Sequence, residues 1–198
     1  MRILLLSPYD TRSHCRWRRG LVAAFAEHDW TVLTLPPRHF SWRVRGNSLS
    51  WALAERERLQ RPYDLLVATS MTDLSALKGM VPPLAGVPAL VYFHENQFAY
   101  PDRRVQQRIE PAVVSLYAAL ASARVVFNSD YNRRTFLEGV TSLLRRMPDH
   151  VPAGVAEAVA DRSSVIPVPL ETVWFERSSR PAVDAPFTLV WNHRWEYD

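Results

Sequence analysis

The feature that most constrains this chain is an alternation that starts at its second residue. Short apolar runs recur, and segments with apolar residues at helical spacing separate them. The runs 2–6, 31–35, 63–69, 89–93, 124–127 and 164–168 read as strands. Helices are expected over 13–28, 47–60, 72–80, 103–123 and 130–147. In the first, Trp17, Leu21, Val22 and Phe25 share one face. Asn47 or Ser48 is expected to cap the second. Pro111 lies inside the fourth and should kink it or mark a boundary. In the last, Phe136, Val140, Leu143, Leu144 and Met147 form one stripe. Strands that alternate with helices predict an α/β fold, a Rossmann-like parallel sheet with helices on both faces.

Such a sheet binds ligands beyond the carboxyl ends of its strands. Four of these ends run into polar loops: "SPYDTRSH" from Ser7, "TSMTD" from Thr69, "HENQ" from His94 and "NSDYN" from Asn128. In a parallel sheet all four lie on one rim, which is a geometric reason to place a site there. His94, Glu95 and Asn96 fit either a ligand-binding lip or a polar turn that caps a helix. His14 fits an anion held at a helix start, or an exposed residue behind a capping Ser13. Asn128, Ser129, Tyr131 and Asn132 follow the fifth strand, with Ser129 or Asp130 as the cap of the next helix. Asp149-His150 reads as an acid–base pair or, more simply, as a loop.

The stretch "PRHFSWRVRG" interleaves Arg38, Arg43 and Arg45 with His39, Phe40 and Trp42. Arginine contacts phosphates and aromatics stack on unpaired bases. The same pattern also describes an amphipathic element with its aromatics buried. The net charge of +4 permits a polyanionic partner, and Lys78 is the only lysine among 24 basic residues. Several classes drop out. The glycines of a dinucleotide fingerprint and the Walker pattern are both missing, and no second histidine follows His94-Glu95 at zinc-protease spacing. Cys15 is alone, which suits a reducing cytoplasm. No apolar stretch is long enough to span a membrane.

Beyond Pro167 the pattern changes. The stretch 170–186 reads as an interdomain linker after a domain over 1–169. Residues 187–198 read as the first strand and loop of a second domain that is cut short.

Six blocks in order, "SPYDTRSH", "LPPRHFSWRVR", "YFHENQFAYP", "VFNSDYNRRTF", "PDHVP" and "WNHRWEYD", resemble the tRNA-queuosine mannosyltransferases, relatives of the family-4 glycosyltransferases. The resemblance runs over almost the whole chain. It implies the N-terminal, acceptor-side half of a GT-B fold. It further implies retaining transfer of mannose from a nucleotide sugar, GDP-mannose, to queuosine in the anticodon of a tRNA for aspartate, with no metal and no other cofactor. On that pattern His94 and Glu95 are the catalytic candidates. Ser13, His14, Asn96, Asn128, Ser129 and Tyr131 line the substrate side. Arg38, Trp42, Arg43 and Arg45 meet the tRNA, and Arg194 meets the donor diphosphate. The first loop lacks the glycine pair of many family-4 enzymes, and a fragment ending at Asp198 is expected to be inactive alone. Two other readings stand beside this one: a non-catalytic tRNA- or polyanion-binding module, and a GT-B transferase or epimerase acting on another sugar.

Overall fold

The computed structural model describes residues 1–99, 109–176 and 188–190. Within the unit Met1–Pro167, six strands form one parallel sheet. They are β1 (Arg2–Ser7), β2 (Asp29–Thr34), β3 (Leu65–Thr69), β4 (Ala89–Phe93), β5 (Arg124–Phe127) and β6 (Ser163–Val165), in the order β2-β1-β3-β4-β5-β6. Leu4 of β1 aligns with Thr31 on one side and Leu66 on the other. Every residue of Ile3–Ser7 is buried, as a strand covered on both faces requires. β2 lies at the sheet edge and buries only Thr31 and Leu33, two residues apart on one face.

Alternate positions along each strand feed two cores. Ile3, Leu5, Val67, Tyr92 and Val126 pack with Trp17, Leu21 and Val22 of α1 (Arg12–Ala24). Leu4, Leu6, Leu66, Val91, Phe93 and Phe127 face the other way. They meet Trp51 of α2 (Phe40–Ala54), Leu59 of α3 (Arg56–Leu59), and Leu74 and Leu77 of α4 (Leu74–Met80). Further along the same face lie Leu116 of α5 (Ile109–Leu120), Phe136 and Val140 of α6 (Asp130–Leu144), and Val159 of α7 (Val155–Ala160). The rings of Phe93, Phe127 and Phe136 pack at centroid distances of 4.9 to 5.3 Å. Each fully buried ring of this kind stabilises the fold by about 2–3 kcal/mol.

The chain leaves β1 for β2 by way of α1, then crosses back beneath the sheet through α2 to β3 on the far side of β1. That reversal opens a crevice between the carboxyl ends of β1 and β3, where doubly wound sheets bind their ligands.

The expected α/β arrangement is the one observed, with corrections at the helix starts. α1 opens at Thr11, whose hydroxyl accepts from the His14 amide, so Thr11 and not Ser13 is the cap. α2 begins at Phe40, seven residues before the expected start at 47. Asn47 and Ser48 therefore sit in mid-helix, buried at 0% and 1% exposure, and cap nothing. The helix enters through His39 in the left-handed region at φ 55°, so it has no capping side chain for a sequence to reveal. β6 spans three residues and ends at Val165, short of the expected 168. Pro111 lies within α5, buried, and its carbonyl accepts from the Ser115 hydroxyl. The expected continuation of that helix over 103–108 lies outside the described residues.

Contacts set Val168–Asp198 apart as a second unit. Its described part holds one short helix, α8 (Val173–Glu176). Thr188–Val190 belong to no regular element, with Leu189 and Val190 exposed. The other residues of the strand expected over 187–191, and Arg194, lie outside the described residues.

Candidate active site at the carboxyl rim

Three loops meet at the crevice. The β1–α1 loop is fixed from within by an ion pair. Arg18 grips Asp10 through two nitrogens, at 2.7 and 3.2 Å, with both side chains largely buried. Asp10 also accepts from the Ser7 hydroxyl at 2.9 Å, and the Arg18 guanidinium pKa is raised by its bonds to that carboxylate. This pair sets the first turn of α1, which delivers His14 and Trp17 on one face.

His14 is buried at 5% exposure, which removes the alternative of an exposed residue behind a capping Ser13. Its Nδ1 lies 2.6 Å from the Thr11 hydroxyl and its Nε2 lies 3.7 Å from a Glu95 oxygen. The other Glu95 oxygen accepts from Ser70 of the β3–α4 loop at 3.1 Å. Thus β1, β3 and β4 each contribute a loop residue to one carboxylate and its histidine.

His94 stands beside them. Its ring packs on His14 at 4.2 Å between centroids, and edge-on against Tyr92 at 4.8 Å and Trp17 at 4.9 Å. Among the described residues, its Nε2 is one of three buried side-chain polar atoms without a hydrogen-bond partner. Burial first, and the neighbouring His14 second, pull its pKa down to about 3. His94 is therefore neutral near pH 7 and offers an uncharged nitrogen. A buried polar atom left unbonded costs about 1–3 kcal/mol, so a structure that keeps one has reason to use it.

The next residues on the rim behave differently. Asn96 is buried at 4% exposure. Its Oδ1 accepts from the amides of Phe98 and Ala99, at 2.9 and 3.1 Å. Its Nδ2 reaches Asn132 Oδ1 at 2.7 Å and Thr135 Oγ1 at 2.9 Å. Asn132 in turn donates to the Phe93 carbonyl and to Asn128, and Asn128 donates to the His94 carbonyl at 2.6 Å. Ser129 caps α6 by accepting from the Asn132 amide, and also donates to Asn128 Oδ1. The three asparagines form one brace that fixes the backbone of 93–99. Phe98 completes it by packing on Gly139, where a Cβ would collide with the ring. Asn96, Asn128 and Ser129, expected on the substrate side, are thus occupied in positioning His94. Tyr131 is exposed at 61%, with the Arg134 guanidinium 5.8 Å from its ring centre. Ser13 is exposed, 3.0 Å from Thr11 Oγ1.

The arginine-rich stretch divides in the structure. Arg38 and Trp42 are exposed, the latter at 53%. Arg43 is buried and donates to the Pro36 carbonyl, a departure from the expected solvent-facing patch. Arg45 is half exposed, but its guanidinium bonds Asp73 at 3.0 Å and Glu110 at 3.3 Å. Asn47 joins it by donating to the Met71 carbonyl and accepting from the Asp73 amide. Together they hold the β3–α4 loop, in which Met71 has φ 73°. Asp149 and His150 pair at 3.3 Å on the open surface, 77% and 94% exposed, which fits the plain loop reading.

Thr11, Trp17 and Ser70 carry much of this geometry and escaped sequence reasoning as site residues. Trp17 had a signal, since it lies three residues after His14 on the same helix face. No group of three metal-ligating side chains lies together among the described residues. No helix among them is long and apolar enough to cross a membrane.

Fold and rim together define a doubly wound α/β domain that gathers a histidine–carboxylate cluster at its switch point. The chain belongs to the family described as tRNA-queuosine alpha-mannosyltransferase N-terminal, which it matches over residues 2–170. It is similar to the Drosophila melanogaster tRNA-queuosine alpha-mannosyltransferase, at 31% identity over 209 residues. That alignment covers 99% of this chain and 54% of the fly protein, so the chain spans about half the length of that relative. No solved structure matches it.

Proposed function

We propose that this chain supplies the acceptor-facing half of a glycosyltransferase that moves mannose from GDP-mannose to queuosine in a tRNA for aspartate, with retention at the anomeric carbon. Family membership supports the reaction class. The observation that carries the site is the neutral, buried and unbonded Nε2 of His94 beside the His14–Glu95 pair. In the transfer, the bond from the sugar's anomeric carbon to the diphosphate breaks. A bond to the acceptor hydroxyl oxygen forms on the same face, and the hydroxyl proton leaves with the diphosphate. His94 takes a hydroxyl of the transferred sugar as a hydrogen-bond partner without adding charge. Glu95, held by Ser70 and His14, orients the acceptor hydroxyl. Such preorganised polar groups act at little reorganisation cost in the transition state.

The donor's diphosphate is met by residues outside this half, with Arg194 as the candidate cation. The reading therefore assigns no transfer activity to the 198-residue chain alone. Incubating labelled GDP-mannose and queuosine-containing tRNA with this chain, and with the longest product of the reading frame that contains it, tests the proposal. Label in the tRNA is expected with the longer product only. Label transferred to lipid or free oligosaccharide instead would point to a transferase with another acceptor. RNA binding without any transfer would favour a non-catalytic module.

A further inference from the structure

Among the exposed aromatic side chains of the described residues, Trp42, in the first turn of α2, is the one seated on a glycine. Its exposure of 53% is high for an indole. Its placement is nevertheless fixed. The ring lies flat against Gly46, one turn further along, where a Cβ would collide with Cδ2, Cε2 and Cζ2. Glycine within a helix costs about 1 kcal/mol relative to alanine. Here it makes the helix surface shallow enough to seat an indole, so one face of the ring meets the helix backbone and the other meets solvent. The helix beneath is well anchored. Trp51 and Ala52 are buried in the core, and Asn47 and Arg45 tie α2 to the β3–α4 loop. Phe40, in the same turn, packs edge-on against Tyr9 of the β1–α1 loop, 5.9 Å between centroids. Arg38, two residues before this helix, is exposed, and the whole chain is basic, with a pI near 9.6. A seated, half-bare indole with the exposed Arg38 four residues away in sequence, on a helix whose first turn packs on the β1–α1 loop, has the chemistry of a base-stacking platform.

We propose that Trp42, laid on Gly46, stacks on an unpaired nucleobase of the RNA acceptor. The inference rests on the acceptor reading above and adds to it a contact away from the His94 cluster. Stacking is indifferent to the phosphate, so it should be separable from charge. The test measures binding of a synthetic stem-loop RNA with an unpaired loop, of the fully paired duplex, and of free GDP, to the full chain and three variants. Trp42→Ala should weaken stem-loop binding roughly tenfold, within the range expected for one lost stack. Its salt dependence should not change, because no phosphate contact is removed. Trp42→Phe should restore most of the affinity. Gly46→Ala improves helix propensity and so should hold or raise the thermal midpoint, yet weaken binding by displacing the ring. Duplex binding should be the same in all four proteins.

Stem-loop binding that is equal in wild type and Trp42→Ala overturns the platform and leaves the acceptor reading standing. A wild-type chain that binds neither RNA overturns both. Loss confined to free GDP would reassign the indole to a mononucleotide and overturn the RNA contact.

Discussion

Two neighbouring stretches of one rim use the same kinds of residue for opposite purposes. On the β5 side, Asn96, Asn128 and Asn132 direct their amides at each other, at the Phe93 and His94 carbonyls and at the Phe98 and Ala99 amides. On the β1–β3 side, His94 keeps a buried nitrogen unbonded and Thr69 keeps a buried hydroxyl unbonded, and within the braced stretch Gln97 Oε1 is the one exception, also buried and unbonded among the described residues. The difference teaches how a reactive lip is held. The satisfied half spends its hydrogen bonds on fixing backbone, and the unsatisfied half can then present polar atoms to a ligand without collapsing. Residues only two apart fall on opposite sides of this division, since His94 packs on Trp17 of α1 while Asn96 bonds Asn132 of α6.

The comparison breaks most visibly at its scaffold. Asn132→Ala strips partners from Asn96, Asn128 and the Phe93 carbonyl at once. Each keeps a second partner, Thr135 for Asn96, Ser129 for Asn128 and the Asn128 amide for the Phe93 carbonyl, so the cost is that of three lost buried hydrogen bonds, about 3 kcal/mol in all. A chemical denaturation curve with an unchanged midpoint would show that water substitutes freely and that the brace is not structural.

Acid offers a subtler probe. The folded-state pKa of His94 is depressed to about 3 from an ordinary 6.5. Between those values the unfolded chain binds a proton at this site and the folded chain does not. His94 therefore opposes folding increasingly as pH falls from about 6.5 toward 3, by about 1.4 kcal/mol per pH unit at most. Above pH 6.5 it contributes no pH dependence. His94→Asn should make the acid limb of a stability–pH profile shallower, and an identical slope would mean that the ring is solvated and charged when protonated. Tyr131→Ala, at an exposed site outside the brace, should change stability by less than about 0.5 kcal/mol. A larger loss would add the Tyr131 side chain to the scaffold that Asn132 already anchors in the first turn of α6.

Much of the fold was legible because its central strands are nearly unbroken apolar runs, and the helix stripe at Phe136 and Val140 is strongly periodic. The start of α2 was not. Its interior holds Gly46 and Asn47, residues that ordinarily mark turns, and its entry uses a left-handed His39 in place of a capping side chain. The rim itself could be read from four polar loops that follow parallel strands. Which polar atoms remain unbonded could not, because that depends on partners as distant as Asn132 is from Asn96. The arginine-rich stretch shows the same limit. Arg43 and Arg45 are two residues apart, yet one lies buried under the Pro36 carbonyl and the other clamps Asp73 and Glu110.

The division between scaffold and ligand contact is tested most directly at His94. Mannose transfer to queuosine-containing tRNA should be measured with His94→Asn in the longest product of the reading frame, alongside its thermal midpoint. Turnover should fall by about a hundredfold or more, as loss of one preorganised polar contact does. The accompanying stability loss should stay near 1–2 kcal/mol, the worth of the lost ring contacts, and well short of that for Asn132→Ala. Unchanged turnover, or a collapse in stability equal to that of the brace variant, would contradict the assignment and return His94 to the packed core.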